Sequence, residues 1–336
     1  MMRIRFFAIG LAPLLAGCGG VQTMMGGQGA EGANFVQLFI VFLTVCAVMY
    51  LLVIAAVLAS LRRGHRRALT VENGTHHQLS GHARPAAIAW VALIFAGLTA
   101  LTIASFFVDR SNASVAPTDQ MSLTVTANQW WWDVEYSTPT ASHGFHTANE
   151  IHLPVGVPVQ VKLKSNDVIH SLWIPNLAGK QDLIPGRDID LQLLPRETGR
   201  FRAQCAEFCG VQHSKMSLDV TVDSKADFLA WYAAQLKPAM PPASAARMAG
   251  YNYVMTRECS ACHSIVGTPA SGQVAPDLTH FASRRTIAAG TLPMDRASIE
   301  NWIADPQHLK RGNRMPTIPM SAADRTAVVA YLEGLK

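Results

Sequence analysis

The sequence is poor in charge, and its first third is poor in acidic side chains. Only 15% of its 336 residues are charged and 49% are hydrophobic, which is apolar for a soluble protein. Residues 1–108 hold seven Lys and Arg against two Asp and Glu, whereas residues 109–336 hold twenty-one of each kind. The formal charge of +5 therefore comes from the N-terminal part, and we expect no nucleic-acid-binding surface.

Two long runs without any charged residue explain the low polarity. Residues 35–61 and 86–108 each exceed the roughly 20 apolar residues that cross a bilayer. A buried core helix would be shorter and would carry a polar stripe. The sequence therefore predicts two transmembrane helices within residues 35–108. The loop between them is expected on the cytoplasmic side, with both flanks outside, because it holds Arg62, Arg63, Arg66, Arg67 and Arg84.

The N-terminus, MMRIRFFAIGLAPLLAGCGG, carries two arginines, a short apolar core and small residues before Cys18. This pattern is typical of a secretory signal. LAGC also resembles the bacterial lipobox, in which cleavage leaves an acylated cysteine at the new N-terminus. We predict a lipoprotein-type signal peptide over residues 1–18 with lipidation of Cys18, and a flexible tether over residues 19–34. An uncleaved signal with an unmodified cysteine is the alternative.

The rest of the chain divides into two parts of different texture. Residues 109–236 contain short alternating segments rich in β-branched residues and separated by Pro and Gly, which predicts a β-sandwich or barrel. KPAMPPASAA, residues 237–246, is typical of a linker. Residues 247–336 have helical periodicity. We therefore expect a multidomain membrane protein with a two-helix transmembrane hairpin, a β-sandwich and an all-α domain.

The all-α part contains CSACH, the spacing of covalent c-type haem attachment. Cys259 and Cys262 would form the thioethers, and His263 would be the proximal iron ligand. A Cys-x-x-Cys redox motif is the rival interpretation, but it does not explain the adjacent histidine.

A methionine usually completes the iron coordination in cytochromes c. Met315 lies well downstream, directly before a proline and ahead of a final helix, and this order resembles class I cytochromes c. Met320 is not followed by proline, and Met294 is too early. We therefore predict Met315 as the second axial ligand.

The β-rich part contains CAEFCGVQHSKM, residues 205–216. A disulfide between the two cysteines is one interpretation. Thiolate, imidazole and thioether together on a β-sandwich favour copper of the electron-transfer type instead. A mononuclear blue site needs one cysteine, whereas two could bridge two copper ions, each with its own histidine. A second histidine is then required upstream, and NDVIHSLWIPNL offers His170.

Three motifs, DVIHSLWIP, QDLIPGR and CAEFCGVQHSKM, stand in this order behind two spans and ahead of a haem domain. The chain thereby resembles subunit II of the haem–copper oxidases, and its fused haem domain points to the caa-type subgroup. The resemblance implies a cupredoxin-like sandwich with a dinuclear CuA centre. Its implied ligands are the bridging Cys205 and Cys209, the imidazoles of His170 and His213, and two weak ligands, Met216 and the carbonyl of Glu207. The Glu207 side chain would reach a Mg²⁺ or Mn²⁺ shared with the catalytic subunit.

Two further positions are read through the resemblance. Trp130, in ANQWWWDVEY, occupies the position implicated in passing electrons to the copper, although tryptophans on a β-domain are often core or docking surface. Ala87 stands where many relatives have a glutamate at the mouth of a proton channel. This departure puts that proton entry route in doubt.

The resemblance implies the electron-entry subunit of a respiratory cytochrome c oxidase in the bacterial cell membrane, with both termini and both redox domains outside. Electrons would pass from cytochrome c through haem c and CuA to subunit I, where oxygen is reduced. Expected partners are subunits I and III, and a soluble or membrane cytochrome c or a cytochrome bc complex as donor. Two alternatives stay open: a CuA-containing nitric oxide reductase, and a copper- or haem-handling membrane lipoprotein without an oxidase partner.

The two predicted redox domains have opposite formal charge. Residues 109–244 hold 11 Lys and Arg against 14 Asp and Glu, and residues 245–336 hold 10 against 7. Opposite signs should steer the haem domain towards the copper domain. The short linker of residues 237–246 already sets a high effective concentration of one domain near the other. We therefore expect electron transfer within the chain to depend only weakly on salt.

Overall fold

The computed structural model describes residues 19–68, 83–113, 121–137 and 144–336. The predicted signal peptide with Cys18, and most of the predicted cytoplasmic loop, lie outside the described residues. The chain divides into a helical unit over residues 34–115 and a second unit formed by the residues on either side of it.

The helical unit consists of two long apolar helices, α1 (Ala30–Ala68) and α2 (Ala83–Ala113). Within them, Ala30–Arg63 and Arg84–Asn112 are long and apolar enough to cross a membrane, with hydropathies of 2.9 and 2.3. The most apolar window of each has no residue buried against protein. These are the two helices that the sequence predicts, and α1 begins five residues earlier than the predicted span.

Polar groups in these helices have partners within the unit. The hydroxyls of Thr44, Ser60, Thr99 and Thr102 each donate to the carbonyl four residues earlier, at 2.8 to 2.9 Å. Such internal pairing suits a medium without water, where an unpaired polar group is costly. Asn34 Nδ2 donates to Asn112 Oδ1 at 2.7 Å, which ties the start of α1 to the end of α2.

The β-rich part is a sandwich of two five-stranded sheets, within the described part of the chain. One sheet has the order β3-β2-β1-β5-β8 and the other β4-β10-β9-β6-β7. The strands are β1 (Ser122–Asn128), β2 (Trp131–Ser137), β3 (Phe145–Ala148), β4 (Glu150–Pro154), β5 (Val159–Ser165), β6 (His170–Trp173), β7 (Gln181–Leu183), β8 (Ile189–Leu193), β9 (Gly199–Cys205) and β10 (Ser217–Asp223). The parallel pairs are β1 with β5 and β4 with β10.

Alternation along the strands builds the sandwich core. Every second side chain of β1 and β2 is buried, so Val125, Trp132 and Val134 face inward while their neighbours are partly exposed. Residues from the other sheet, including Leu172 and Val220, complete the same core. The period-2 pattern that predicted strands thus also defines the buried face.

A helix follows β10, the last strand of the sandwich. The alternating sequence pattern predicted strand here, up to about residue 235. This helix, α3 (Lys225–Gln235), is capped by Ser224, whose hydroxyl accepts from Asp227 N. The ring of Trp231, on this helix, packs edge-on against the ring of Tyr136 of β2, with the ring centroids 5.2 Å apart. The prediction was wrong here because an eleven-residue helix with an N-cap competes well against strand in KADFLAWYAAQ.

The C-terminal part is helical, as predicted. Its helices are α4 (Ala245–Thr256), α5 (Cys259–Cys262), α6 (Arg296–Ala304), α7 (Pro306–Leu309) and α8 (Ala322–Leu332), with a two-stranded hairpin of β11 (Thr286–Ile287) and β12 (Leu292–Pro293). Helices α4 and α8 cross closely at Gly250, where a Cβ atom would lie 2.0 Å from Ala327 O. Val254, Ile299 and Val328 belong to the core between these helices.

The segment predicted as a flexible tether is instead held by the sandwich. Thr23 N donates to Oδ1 of the fully buried Asn176 at 3.0 Å, and Gly32 N donates to Leu177 O at 3.0 Å. Gly29 is required there, because a Cβ atom would lie 2.1 Å from Leu177 O. Composition suggested flexibility, but the backbone of these residues finds hydrogen-bond partners that no local pattern reveals.

Candidate metal centre and haem pocket

The CAEFCGVQHSKM segment forms a loop that joins β9 to β10 beside the start of β6. Cys205 N donates to Met216 O and Ala206 N donates to Ser171 O, both at 2.9 Å. Cys205 ends β9 and pairs with Leu172 of β6, which brings His170 to the same corner of the sheet. Both ends of the loop and the upstream histidine are therefore fixed by the sheet.

The loop gathers the predicted copper ligands around two cysteine sulfurs that lie 3.6 Å apart. Each sulfur faces one imidazole: Cys205 Sγ lies 3.7 Å from His170 Nδ1, and Cys209 Sγ lies 3.5 Å from His213 Nδ1. Met216 Sδ lies 3.9 Å from Cys209 Sγ. Both cysteines are free thiols, so the geometry favours the metal interpretation over the disulfide.

The surroundings of the sulfurs are buried and favour a thiolate. Cys205, Cys209, Met216 and His170 are at most 3% exposed. The hydrogen bond with Cys209 lowers the pKa of Cys205, with help from His170 and neighbouring backbone groups. The same pairing raises the pKa of Cys209, because a second charge beside the first is disfavoured. Thiolate is the form of cysteine that binds metals.

Asp167 orients His170, and Asp167 is not among the residues predicted from the sequence. His170 Nε2 donates to Asp167 Oδ1 at 2.8 Å, which turns Nδ1 towards Cys205. Burial opposes a charge on His170, but hydrogen bonds with Cys205 and Asp167 outweigh it and raise the pKa of the imidazole. A carboxylate behind a histidine is a common second partner at metal sites, so its position three residues before His170 was a usable signal.

Glu207 contributes its backbone and its side chain in different directions. Its carbonyl oxygen lies 3.2 Å from Cys205 Sγ, where the resemblance places a weak ligand. Its carboxylate is exposed and pairs with Lys180 at 3.4 Å.

Trp130 lies against the loop and is buried. Its indole Nε1 donates to Cys209 O at 3.0 Å, and Gln129 Nε2 donates to the same carbonyl at 2.7 Å. Gly210 has a φ of +116°, and a Cβ atom there would lie 2.9 Å from the indole ring. The glycine therefore allows the ring to rest directly on the metal-binding loop.

A largely apolar cavity lies beside the CSACH motif. Its walls include Cys259, Cys262 and His263 together with Met315, and apolar side chains such as Phe281 and Trp302. Met294 and Met320 instead pack against the helical core. The cavity thus brings together the residues predicted to hold haem and distinguishes between the three methionines.

Hydrogen bonds hold the two predicted iron ligands. His263 Nδ1 bonds to Pro276 O at 2.7 Å, which leaves Nε2 as the nitrogen available to a metal. Burial lowers the pKa of His263 and so favours the neutral imidazole that ligation needs. On the other side, Gln307 Nε2 donates to Met315 O at 2.8 Å.

The sandwich supplies one wall of this cavity. Gln129, Trp130, Trp131 and Asn149 line it alongside the haem-domain residues. Trp130 therefore borders the haem cavity while its indole nitrogen bonds to a carbonyl of the metal-binding loop.

The chain matches two families over its two redox domains. Residues 138–223 match the periplasmic domain of cytochrome c oxidase subunit II, and residues 248–336 match cytochrome c. Cytochrome c oxidase subunit 2 of Alkalihalophilus pseudofirmus is 32% identical over 247 residues, which cover 73% of this chain and 70% of the relative. The chain belongs to the cytochrome c oxidase subunit 2 family.

One more relative and one solved structure are also similar to this chain. Cytochrome c oxidase subunit 2 of Bacillus subtilis is 28% identical, covering 81% of this chain and 80% of the relative. The crystal structure of the periplasmic domain of subunit II of cytochrome oxidase (CoxB) of Bradyrhizobium japonicum is 28% identical over 35% of this chain and 95% of that one, with a TM-score of 0.33.

Membership confirms the predicted family, fold class and enzyme. The chain is a membrane-anchored subunit of a haem–copper cytochrome c oxidase with periplasmic domains, and its catalytic partner is subunit I. Its two family matches imply copper in one domain and haem c in the other.

Proposed function

We propose that this subunit accepts electrons at haem c and passes them by way of Trp130 to a dinuclear copper centre, from which they reach subunit I. One observation carries the proposal: Trp130 borders the predicted haem cavity and also donates its indole hydrogen to the carbonyl of Cys209. A side chain that touches both sites gives a short covalent and hydrogen-bonded route between them.

The residues of the loop fit a pair of copper ions. Two buried thiols, each beside its own imidazole, form a symmetric donor set of the kind that soft copper prefers. Cys205 and Cys209 would bridge the ions, and His170 and His213 would each hold one of them. Met216 and the carbonyl of Glu207 would be weak ligands. The bound pair would supply a one-electron carrier whose charge is shared by two metals.

The residues of the cavity fit haem c in the same way. Cys259 and Cys262 would hold the porphyrin by thioethers, and His263 and Met315 would bind the iron. The protein would bury the haem, fix the His263 imidazole through Pro276, and fix the backbone at Met315 through Gln307. A methionine ligand raises the reduction potential, which suits a carrier near the end of a respiratory chain.

Several finer assignments belong to the same proposal. The exposed carboxylate of Glu207 would reach a Mg²⁺ or Mn²⁺ shared with subunit I. The donor would be a cytochrome c or a cytochrome bc complex, and subunit III would be a further partner. Arg62 and Arg63 follow the apolar part of α1, which supports a cytoplasmic loop and external redox domains. Ala87 leaves the proton entry route to another group.

The test uses the purified oxidase complex with its metals. We expect two copper ions per chain and an EPR signal with hyperfine structure from one electron shared by two metals. Reduced cytochrome c should drive oxygen uptake, and a Trp130→Phe complex should transfer electrons from haem c to copper more slowly with unchanged metal content. One copper with a mononuclear signal would reject the dinuclear assignment, and turnover with nitric oxide but not oxygen would favour the reductase.

A further inference from the structure

The segment that carries the predicted iron ligand also contacts the sandwich along most of its length. Residues 310–315 run from α7 to Met315. Gln212 Nε2 of the copper-binding loop donates to Arg311 O at 2.7 Å. A Cβ atom at Gly312 would lie 3.6 Å from the Trp130 ring, so the backbone there runs close to the indole. We call residues 310–315 the docking segment.

Lys310 is the buried member of the docking segment, with 2% of its surface exposed. Its ammonium donates to three backbone carbonyls: Trp130 O at 2.7 Å, Lys215 O at 2.7 Å and Ala288 O at 3.0 Å. Two of these carbonyls belong to the sandwich and one belongs to the haem domain. An ammonium has three donors: two of them reach the sandwich, and the third holds the amine to its own domain at Ala288 O.

This position is demanding for a cation. Burial, together with the neighbouring Lys215 ammonium, lowers the pKa of Lys310 to about 7. Removal of the amine would leave three carbonyl oxygens without their donor in a site that water does not readily reach. A buried lysine surrounded by carbonyls is therefore specific to the docked arrangement of the domains.

A turn of the haem domain beside Lys310 is shaped to present carbonyl oxygens. Ala288, Ala289 and Gly290 have φ values of 54°, 58° and 71°, a run of left-handed residues that two alanines adopt only at a cost. This turn directs Ala288 O to Lys310 and Ala289 O to Ser217 N, the latter at 3.1 Å. This backbone conformation would cost energy in isolation, and the hydrogen bonds of the interface hold it in place.

We propose that Lys310 is a positioning residue for electron transfer, which fixes Trp130 and the haem cavity in one arrangement by joining the Trp130 carbonyl to the haem domain. The inference rests on the proposed route from haem c through Trp130. Trp130 is then held at both ends, by Lys310 at its carbonyl and by Cys209 O at its indole nitrogen. Because electron transfer slows steeply as the gap between carriers widens, a fixed Trp130 keeps the rate high.

Amide hydrogen exchange reports docking without any metal or haem. The Ser217 amide donates across the interface to Ala289 O, whereas the Val155 amide donates to Asp223 O within the sandwich. In the full-length chain, Lys310→Met should speed exchange of the Ser217 amide by about tenfold or more and leave that of Val155 unchanged. Lys215→Met is the matched control, because that side chain also crosses to the haem domain, at Leu309 O at 2.8 Å, but it is exposed and water can replace it.

The second measurement is the rate of haem-to-copper electron transfer in the loaded oxidase. Lys310→Met should slow it by about tenfold or more, with unchanged haem absorption and copper content, and Lys310→Gln should have an intermediate effect because an amide retains two donors. Unchanged exchange of the Ser217 amide in both Lys310 variants would show that Lys310 does not join the two domains. Faster exchange with an unchanged transfer rate would overturn the positioning role. Absence of haem-to-copper transfer in the unaltered protein would reject the proposed function, while the exchange data would still decide whether Lys310 joins the domains.

Discussion

The guanidinium of Arg314 lies 3.2 Å from Asp167 Oδ2, while the other oxygen of the same carboxylate accepts a hydrogen bond from His170 Nε2 at 2.8 Å. One carboxylate thus links a predicted copper ligand to the residue that precedes Met315 in the haem domain. Arg314 is 65% exposed, whereas Asp167 is 9% exposed. The two halves of this link therefore differ in strength: the histidine half is protected from water, and the arginine half is not.

Arg314→Gln should have little effect on electron transfer within the chain. An exposed ion pair contributes roughly 0.2–1 kcal/mol and is screened by salt, whereas the contacts of Lys310 are buried. Flash reduction across a salt series should show a nearly constant haem-to-copper rate in both proteins. Reaction with a separate basic cytochrome should fall more steeply, because no linker holds it. An intramolecular rate that falls as steeply would show that the charged pair, and not the buried interface, holds the domains together.

Asp167→Asn should weaken copper binding, because an amide can bond to His170 Nε2 but provides no negative charge. Loss of such a partner typically costs roughly tenfold to a hundredfold in metal affinity. Copper retention against a graded chelator series would measure this. Asp182→Asn is the control, since Asp182 forms an exposed pair with Lys180 at 3.5 Å. Equal losses from both variants would mean that Asp167 acts through general charge alone.

Cys205→Ser and Met216→Leu should separate bridging from weak ligation. One remaining thiolate cannot bridge two ions, so Cys205→Ser should abolish the paired copper signal. Met216→Leu fills a similar buried volume and should retain copper with a shifted reduction potential. Metal analysis and EPR of the full chain measure both outcomes. Retention of a shared-electron signal in Cys205→Ser would exclude the cysteine bridge.

Met315→Ala and Met320→Ala should differ in the spectrum of the oxidised haem. Met315 lines the cavity, whereas Met320 packs against the helical core. Loss of the weak absorption band of Met–Fe(III) ligation is expected for Met315→Ala only. Met320→Ala should instead lower the free energy of unfolding of the domain by roughly 1–3 kcal/mol, since that side chain is only partly buried. The reverse pattern of spectra would move the axial ligand by five residues.

Cys18→Ser should block lipidation but leave the protein in the membrane. Two helices of the hydropathy seen in α1 and α2 bind a bilayer far more strongly than an acyl chain. Mass spectrometry would follow the lipid, and fractionation would follow the protein. Appearance of the variant in the soluble fraction would contradict two membrane-spanning helices.

The sequence predicted what short motifs encode and missed what distant residues create. Cysteine and histidine spacing predicted Cys209 and His213 in one loop, and CSACH predicted where haem would attach, because ligand spacing is a local property. His170 was predicted less directly, by requiring a second imidazole upstream of the loop. Lys310 reads as an ordinary surface lysine, since its burial arises from carbonyls of residues 130, 215 and 288. The docking of residues 19–33 was hidden for the same reason: glycine-rich composition says nothing of partners such as Asn176.

The wall that Trp130 and Trp131 contribute to the haem cavity has a kinetic consequence. A haem held in that cavity meets the copper domain without any search, so its delivery step is unimolecular and should be insensitive to solvent viscosity. A separate donor protein would have to collide by diffusion and to approach from a side that the sandwich leaves uncovered. Donor and acceptor can therefore be engaged at the same time, and the subunit can act as a continuous conductor instead of a shuttle that alternates between two encounters.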